Sequence, residues 1–284
     1  MAQLSFGIKT APQHTTYDAM LRVWEEADAV PVFEHAWLFD HFAPIGGLDI
    51  NGPCLEGWTL LAAYAARTTR LRLGLMVTGN TYRHPAVLAH IAATTDVISN
   101  GRLDFGIGAG WNEYEHSSMG IPLYKPGERI RRFGEACEIV KRLFTQPTTD
   151  FDGRYYQLKE ARCEPKSVQK PYPPFVIGGG GEQLTLRIVA RYADVWNFAG
   201  GPVETFKHKV EVLHGHCAAV GRDPSAIRLS VQVPVNYDDL GATVQATQGY
   251  VDAGATHLVL NLRYPYPDGI ATRLAEEVVP RVRA

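Results

Sequence analysis

The stretch from Arg70 to Trp111, RLRLGLMVTGNTYRHPAVLAHIAATTDVISNGRLDFGIGAGW, constrains the fold more than any other. LRLGLMV is a short apolar run rich in branched residues, the pattern of a strand buried on both faces. TGN punctuates it. His84-Pro85 opens a helix, because the missing N–H of proline costs nothing in a first turn. PAVLAHIAATTDVIS then sets Val87, Ile91, Thr94/Thr95 and Ile98 on one side at roughly helical spacing. Asn100-Gly101 ends the helix, since both residues tolerate a left-handed backbone. LDFGIG reads as a second buried strand. Strands joined by a helix rather than a hairpin lie parallel, so VTGN and GAGWNE open on the same edge of one sheet. That edge is where α/β proteins place their ligand sites.

The same rhythm runs through the chain. Ser5–Lys9, Ala36–Asp40, Phe175–Gly179, Ala193–Phe198, Ile227–Val233 and Thr256–Leu262 read as further strands. Tyr17–Val30, Glu56–Arg67, Glu128–Phe144, Gln183–Tyr192, Pro202–Val220, Asp239–Ala253 and Gly269–Val282 read as helices. In Glu128–Phe144 the spacing of Ile130, Phe133, Cys137, Val140 and Phe144 is helical. Thr145–Pro174 breaks the rhythm and reads as an excursion, either a short hairpin or a loop over the site. Eight strands alternating with eight helices select a (β/α)8 TIM barrel, with an insertion before strand 5, over an open doubly wound sheet. The 284 residues suit such a barrel, and no composition break marks a second domain, so 1–284 is read as a single domain.

Composition excludes several classes of function. A net charge of −2 offers no footprint for nucleic acid. Cys54, Cys137, Cys163 and Cys217 lack CxxC spacing, which argues against a zinc ribbon or disulfide scaffold and fits a reducing cytoplasm. MAQLSFGIKT does not have the form of a secretory signal, and no apolar run approaches about 18 residues, so no membrane association is expected.

Asp40-His41 directly follows strand two, where side chains enter the mouth of a barrel. There His41 can hold or deliver a proton; the plainer reading is a surface-loop histidine beside a turn-capping aspartate. GIGAG is a poor dinucleotide fingerprint, because the third glycine position is Trp111 and no clear helix start follows. Its glycines instead suit close approach of a backbone or ring to a strand end. Gly178, Gly179, Gly180 and Gly181 precede a helix, and bare amides at such a junction suit a phosphate better than a flexible loop. His214-Gly215-His216 falls late in a helix, where the two rings diverge, and is not a metal pair. His84 and His90 read as structural, Glu128–Arg132 as a solvated ion-paired face, and Tyr155, Tyr156, Tyr264 and Tyr266 as loop aromatics that either line a pocket or pack.

Taken together, AWLFDHF, LGLMVTGNTYRHPAVLAHIAATTDVISNGRLDFGIGAGWNE, the RIRRF helix, PPFVIGGGGE and ARYADVWN resemble the bacterial luciferase-like superfamily, and within it the coenzyme F420-dependent oxidoreductases. The resemblance covers nearly the whole chain. It implies a homodimeric barrel with a flavin-like ring at its C-terminal mouth and a non-proline cis peptide within Leu75–Thr78, at Met76–Val77, buttressing that ring. It further implies that Asp40 contacts the deazaflavin edge or orients His41, that His41 transfers a proton, and that Gly178–Gly181 hold the cofactor phosphate. Thr78, Asn80 and Asn112 are the polar groups placed to meet the ring edge. The sugar-phosphate dehydrogenases of the branch carry a tryptophan where this chain has Pro44-Ile45, and relatives place an acid where it has Trp111. Glu113 is the nearest carboxylate and becomes the second catalytic candidate.

The expected function is thus hydride transfer between F420 and a small organic substrate. The alternative is a luciferase-like monooxygenase using FMN and oxygen. A metal-dependent barrel hydrolase fits less well, since the other strand ends offer Gly, Asn and Thr rather than converging ligands, and a non-catalytic cofactor-binding protein is the remaining class.

Overall fold

The computed structural model describes residues 3–284. Its elements follow the expected alternation: β1 (Ser5–Thr10), α1 (Tyr17–Ala29), β2 (Phe33–Leu38), α2 (Gly57–Arg67), β3 (Arg72–Leu75), β4 (Thr78–Gly79), α3 (Pro85–Ile98), β5 (Leu103–Gly108), α4 (Glu113–Ser118) and α5 (Pro126–Thr145). There follow β6 (Thr149–Asp152), β7 (Gln157–Ala161), β8 (Phe175–Gly178), α6 (Thr185–Tyr192), β9 (Val195–Phe198), α7 (Val203–Ala219), β10 (Arg228–Pro234), α8 (Leu240–Asp252), β11 (His257–Leu262) and α9 (Ile270–Glu277). The parallel ladder runs β3-β2-β1-β11-β10-β9-β8-β5, and a β3–β5 pairing closes it. Since β3 and β4 are two halves of one interrupted strand, the ring has eight staves, a (β/α)8 barrel. The excursion before β8 contains the antiparallel β6–β7 hairpin. The carboxylate of Glu135 on α5 pins its turn by accepting the amides of Arg154, Tyr155 and Tyr156 at 2.9, 3.0 and 3.1 Å.

The helices form where capping and burial agree. The Thr16 hydroxyl caps α1 by accepting the amide of Ala19, and the helix buries Met20, Val23, Trp24 and Ala27. On α5, Phe133, Cys137, Val140 and Phe144 are buried as their spacing predicts. Helix α3 splits the expected side. Leu88, Ala89, Ala92, Ala93, Thr95 and Asp96 are buried and Ile91 packs against the core, while Val87 and Ile98 are exposed. Alanines let the helix sit close to its neighbours. Helix α6 starts at Thr185, later than expected, because Glu182 is held by Lys209 and His208 of α7 and the chain makes a turn before the helix begins.

The barrel interior has an apolar half and a polar half. Trp37, Met76, Val176, Val195 and Val259 pack together, with Val77 against them. Beside them His35 lies flat on His257, with ring centroids 3.9 Å apart and planes 9° apart. The indole N–H of Trp37 donates to His35 Nδ1 at 2.6 Å, and Ser230 Oγ lies 2.8 Å from His257 Nδ1. Burial pushes the His257 pKa down to about 3 and drives His35 well below the ordinary imidazole range, with the neighbouring ring adding to the effect on His35.

Both rings are therefore neutral in the folded barrel and take up protons on unfolding. Stability from them is complete above about pH 6.5, the ordinary histidine value, and is lost as pH falls toward 3, at about 1.4 kcal/mol for each pKa unit of difference. Urea midpoints measured from pH 7.5 to 4.5 should fall more steeply for the parent chain than for His257→Gln. Parallel curves would show that the pair does not carry this dependence.

Candidate active site at the barrel mouth

The C-terminal ends of the strands surround a cavity of about 550 Å3, within the size range of small-molecule sites. Asp40, His41, Met76, Val77, Thr78, Gly178 and Gly179 line it, together with Trp111 and Tyr82. Its middle is built on the break between β3 and β4, where the Met76–Val77 peptide is cis, at the place the resemblance implies. The glycines of GIGAG make room for it. A Cβ on Gly106 would collide with the Leu75 carbonyl, and one on Gly108 would come within 2.8 Å of Val77 Cγ2. The glycine signal therefore marks the close approach of Val77, as strand-end spacing suggested, and not a dinucleotide turn.

His41 is buried, and its Nδ1 lies 2.9 Å from Glu115 Oε2. Glu115 also accepts the amides of Phe42 at 2.6 Å and Ala43 at 3.1 Å, and the Tyr82 hydroxyl donates to it. Burial would raise this carboxyl, but the His41 and Tyr82 bonds and the Phe42 amide outweigh it and hold it below the usual carboxylate range. With Nδ1 committed, Nε2 is the nitrogen His41 presents to the cavity. The edges of Phe39 and Trp111 close over the ring, with centroids 5.0 and 5.6 Å away.

Asp40 is fully buried, and Arg83 grips it with both ends of its guanidinium, at 2.6 and 3.1 Å. Thr78 also donates to Asp40, and Arg83 continues to Glu56 at 2.5 Å. Burial pushes Asp40 upward, while Arg83 and Thr78 pull it back toward the ionised form. Asp40 and Thr78 thus line the cavity but spend most of their hydrogen-bonding capacity on each other and on Arg83.

Other expected residues are placed differently. Glu113 is exposed at the start of α4, away from His41. Glu115, two positions on, is buried and makes the contact, so the carboxylate beside His41 is Glu115 and not Glu113. Asn112 caps α4 by accepting the Glu115 amide at 3.3 Å, and Asn80 donates to the Tyr156 hydroxyl at 3.3 Å. Neither is among the cavity-lining residues. The sequence does carry a signal for Glu115. Asn112 with Glu115 three residues on is a capping pattern, and it places the glutamate in the first turn of the short helix missed in the sequence reading. Arg83 leaves no comparable signal. Gly178 and Gly179 line the cavity, while Gly180 and Gly181 do not. Among the described residues the amides of Gly180, Gly181 and Glu182 donate to no protein acceptor, which leaves a row of bare N–H groups suited to an anion. Among the described residues no group of three His, Cys, Asp or Glu side chains is placed to hold a metal ion, and His216 Nε2 meets the Glu182 carbonyl at 2.7 Å.

Removing one partner of a buried ion pair strands the other charge. Arg83→Met should therefore lower the unfolding free energy by about 3–5 kcal/mol, and adding Asp40→Asn should restore part of it, read by urea denaturation. An unchanged midpoint in Arg83→Met would contradict the network.

The family model for luciferase-like monooxygenases matches residues 4–268. An uncharacterized protein of Mycobacterium tuberculosis (strain ATCC 25618 / H37Rv) is 34% identical over 195 residues, 66% of this chain and 67% of its own length. The F420-dependent glucose-6-phosphate dehydrogenase of Kineococcus radiotolerans is 26% identical over 305 residues, covering 88% of this chain and 89% of that protein. Among solved structures, an F420-dependent secondary alcohol dehydrogenase in complex with an F420-acetone adduct superposes with a TM-score of 0.88 at 18% identity, covering 100% of both chains. By the extent of the family match, this chain belongs to the luciferase-like monooxygenase family.

Proposed function

We propose that the protein is an oxidoreductase that uses coenzyme F420 to exchange a hydride with a small organic substrate. The observation that carries this reading is that His41, the Val77 buttress and the Gly178-Gly179 strand end, where the run of bare amides begins, line one cavity. The F420-dependent dehydrogenase relative supports it. The cavity fits such a group: Gly108 and Gly178 leave Val77 uncovered as a flat support, and a Cβ on Gly178 would fill that space, 3.1 Å from Val77 Cγ2. Val77 and Gly178 would back the ring, and the amides of residues 180–182 would hold the phosphate. When bound, the deazaflavin supplies the carbon that gives or accepts the hydride. The protein supplies the proton. Glu115 holds Nδ1 and fixes the orientation of the ring, so Nε2 accepts or delivers a proton at the substrate oxygen.

The FMN-dependent monooxygenase remains the second reading of this mouth, and cofactor binding separates the two. Titration followed by fluorescence should show F420 binding more tightly than FMN; the reverse order would favour the monooxygenase. With an accepted substrate, His41→Ala should cut kcat about 100-fold or more, the usual weight of a positioned acid or base. Glu115→Gln should lower kcat less while leaving F420 affinity unchanged. Unaltered turnover in His41→Ala would remove the assigned role.

We also propose a homodimer that buries the exposed apolar stripe of α3, Val87 and Ile98 beside the groove it forms with α2. Light scattering should give twice the chain mass, and Val87→Asp with Ile98→Asp should give the monomer. A monomeric parent chain would contradict this.

A further inference from the structure

The proposed chemistry uses only part of the mouth. The remaining wall is polar and comes from four other strands: Lys9 on β1, Asn197 on β9, Gln232 on β10 and Asn261 on β11. Lys9 and Asn261 are register partners on adjacent strands. Lys9 is 9% exposed and donates one N–H to Gln232 Oε1 at 2.6 Å. The amide of Gln232 cannot turn away, because its Nε2 donates to Asn197 Oδ1 at 2.8 Å and Asn197 in turn donates to Ser230 Oγ at 2.8 Å.

An ammonium carries three N–H groups, and this one has a single neutral acceptor. The two carboxylates near the mouth are committed elsewhere, Asp40 to Arg83 and Glu115 to His41. Lys9 pairs with no carboxylate among the described residues, and it is the one Lys or Arg side chain that lines the cavity. Burial lowers its pKa to about 8, which still leaves the charged form predominant at neutral pH. A buried cation without a counter-ion is costly, and a position needed only to fill the floor would be apolar, as Val259 and Met76 are. The cost is offset when an anion arrives.

We propose that Lys9 anchors an anionic substrate. Its ammonium, beside Gln232 and Asn261, takes the carboxylate of a small organic acid whose apolar part lies against Phe39, Ile45 and Trp111 on the His41 side of the mouth. This deepens the oxidoreductase reading and rests on it only in taking the mouth as the substrate site. It also places the reacting carbon between a fixed charge and His41 Nε2, which gives the bound acid one orientation.

The test is calorimetric titration of benzoate and benzamide, a matched acid and neutral amide, into the F420-loaded protein. The parent chain should bind benzoate about tenfold or more tightly than benzamide, the weight of one charge-assisted hydrogen bond. Lys9→Met removes the charge at similar length, and Gln232→Glu supplies an internal counter-ion, so the second variant guards against misfolding of the first. Both should abolish the preference while F420 affinity stays within about twofold. No preference in the parent chain, or a preference that survives in both variants, overturns the proposal. So does a loss of F420 affinity in Lys9→Met as large as the loss for benzoate, which would put Lys9 on the cofactor. If the parent chain does not bind F420 at all, the cofactor reading falls alone, and the same comparison on the unloaded protein decides Lys9.

Discussion

A single carboxylate organises the mouth of this barrel. Glu115 sits on a helix of only six residues, yet it accepts from His41, from the amides of Phe42 and Ala43, and from the Tyr82 hydroxyl. It thereby fastens the loop after β2 to the segments after β4 and β5. Four donors on a buried carboxylate compensate its loss of water, which an isolated buried charge would not survive. Because two of the donors are backbone amides, the loop carrying His41 has little freedom to move, and the imidazole is held in one orientation. The Arg83 network does the same for Asp40. The two acidic groups nearest the mouth are thus committed to Arg83 and to His41, and His41 Nε2 has no protein partner among the described residues.

The interior below explains why the mouth has two kinds of wall. Trp37, Met76, Val176, Val195 and Val259 pack into one apolar cluster, and beside it the interrupted third strand presents Val77 between Gly108 and Gly178. On the other side a chain of hydrogen bonds runs from Lys9 through Gln232, Asn197 and Ser230 to the His257–His35 stack. Each amide in that chain is used at both ends, so the polar side is as fixed as the apolar one. A flat ring suits the first wall and a polar or charged ligand the second.

Much of this was legible in the sequence because it rests on local pattern. The alternation of strands and helices gives the barrel, glycines mark where backbone and Val77 come close, and Asp40-His41 falls at a strand end. What was not legible depends on contacts between distant residues. His41 and Glu115 are 74 positions apart, and only the fold decides that Glu115 rather than Glu113 turns inward. Arg83 sits in a loop whose sequence says nothing of Asp40. Apolar residues occur on both sides of α3, so hydropathy does not say which side faces inward, and the buried one is rich in alanine. The bond from Asn80 to the Tyr156 hydroxyl, 76 positions away, has no local signature either. Lys9 passed unnoticed since one cation in a strand has no periodic signature.

The central claim is that a flat redox ring lies on Val77 with His41 Nε2 at the reacting position. A crystal structure of the protein soaked with F420 tests it most directly. The account predicts the ring in the mouth against Val77 and Gly178, with its phosphate on the amides of residues 180–182. A ring bound in the groove between α2 and α3, or in the mouth but turned away from His41, would contradict it.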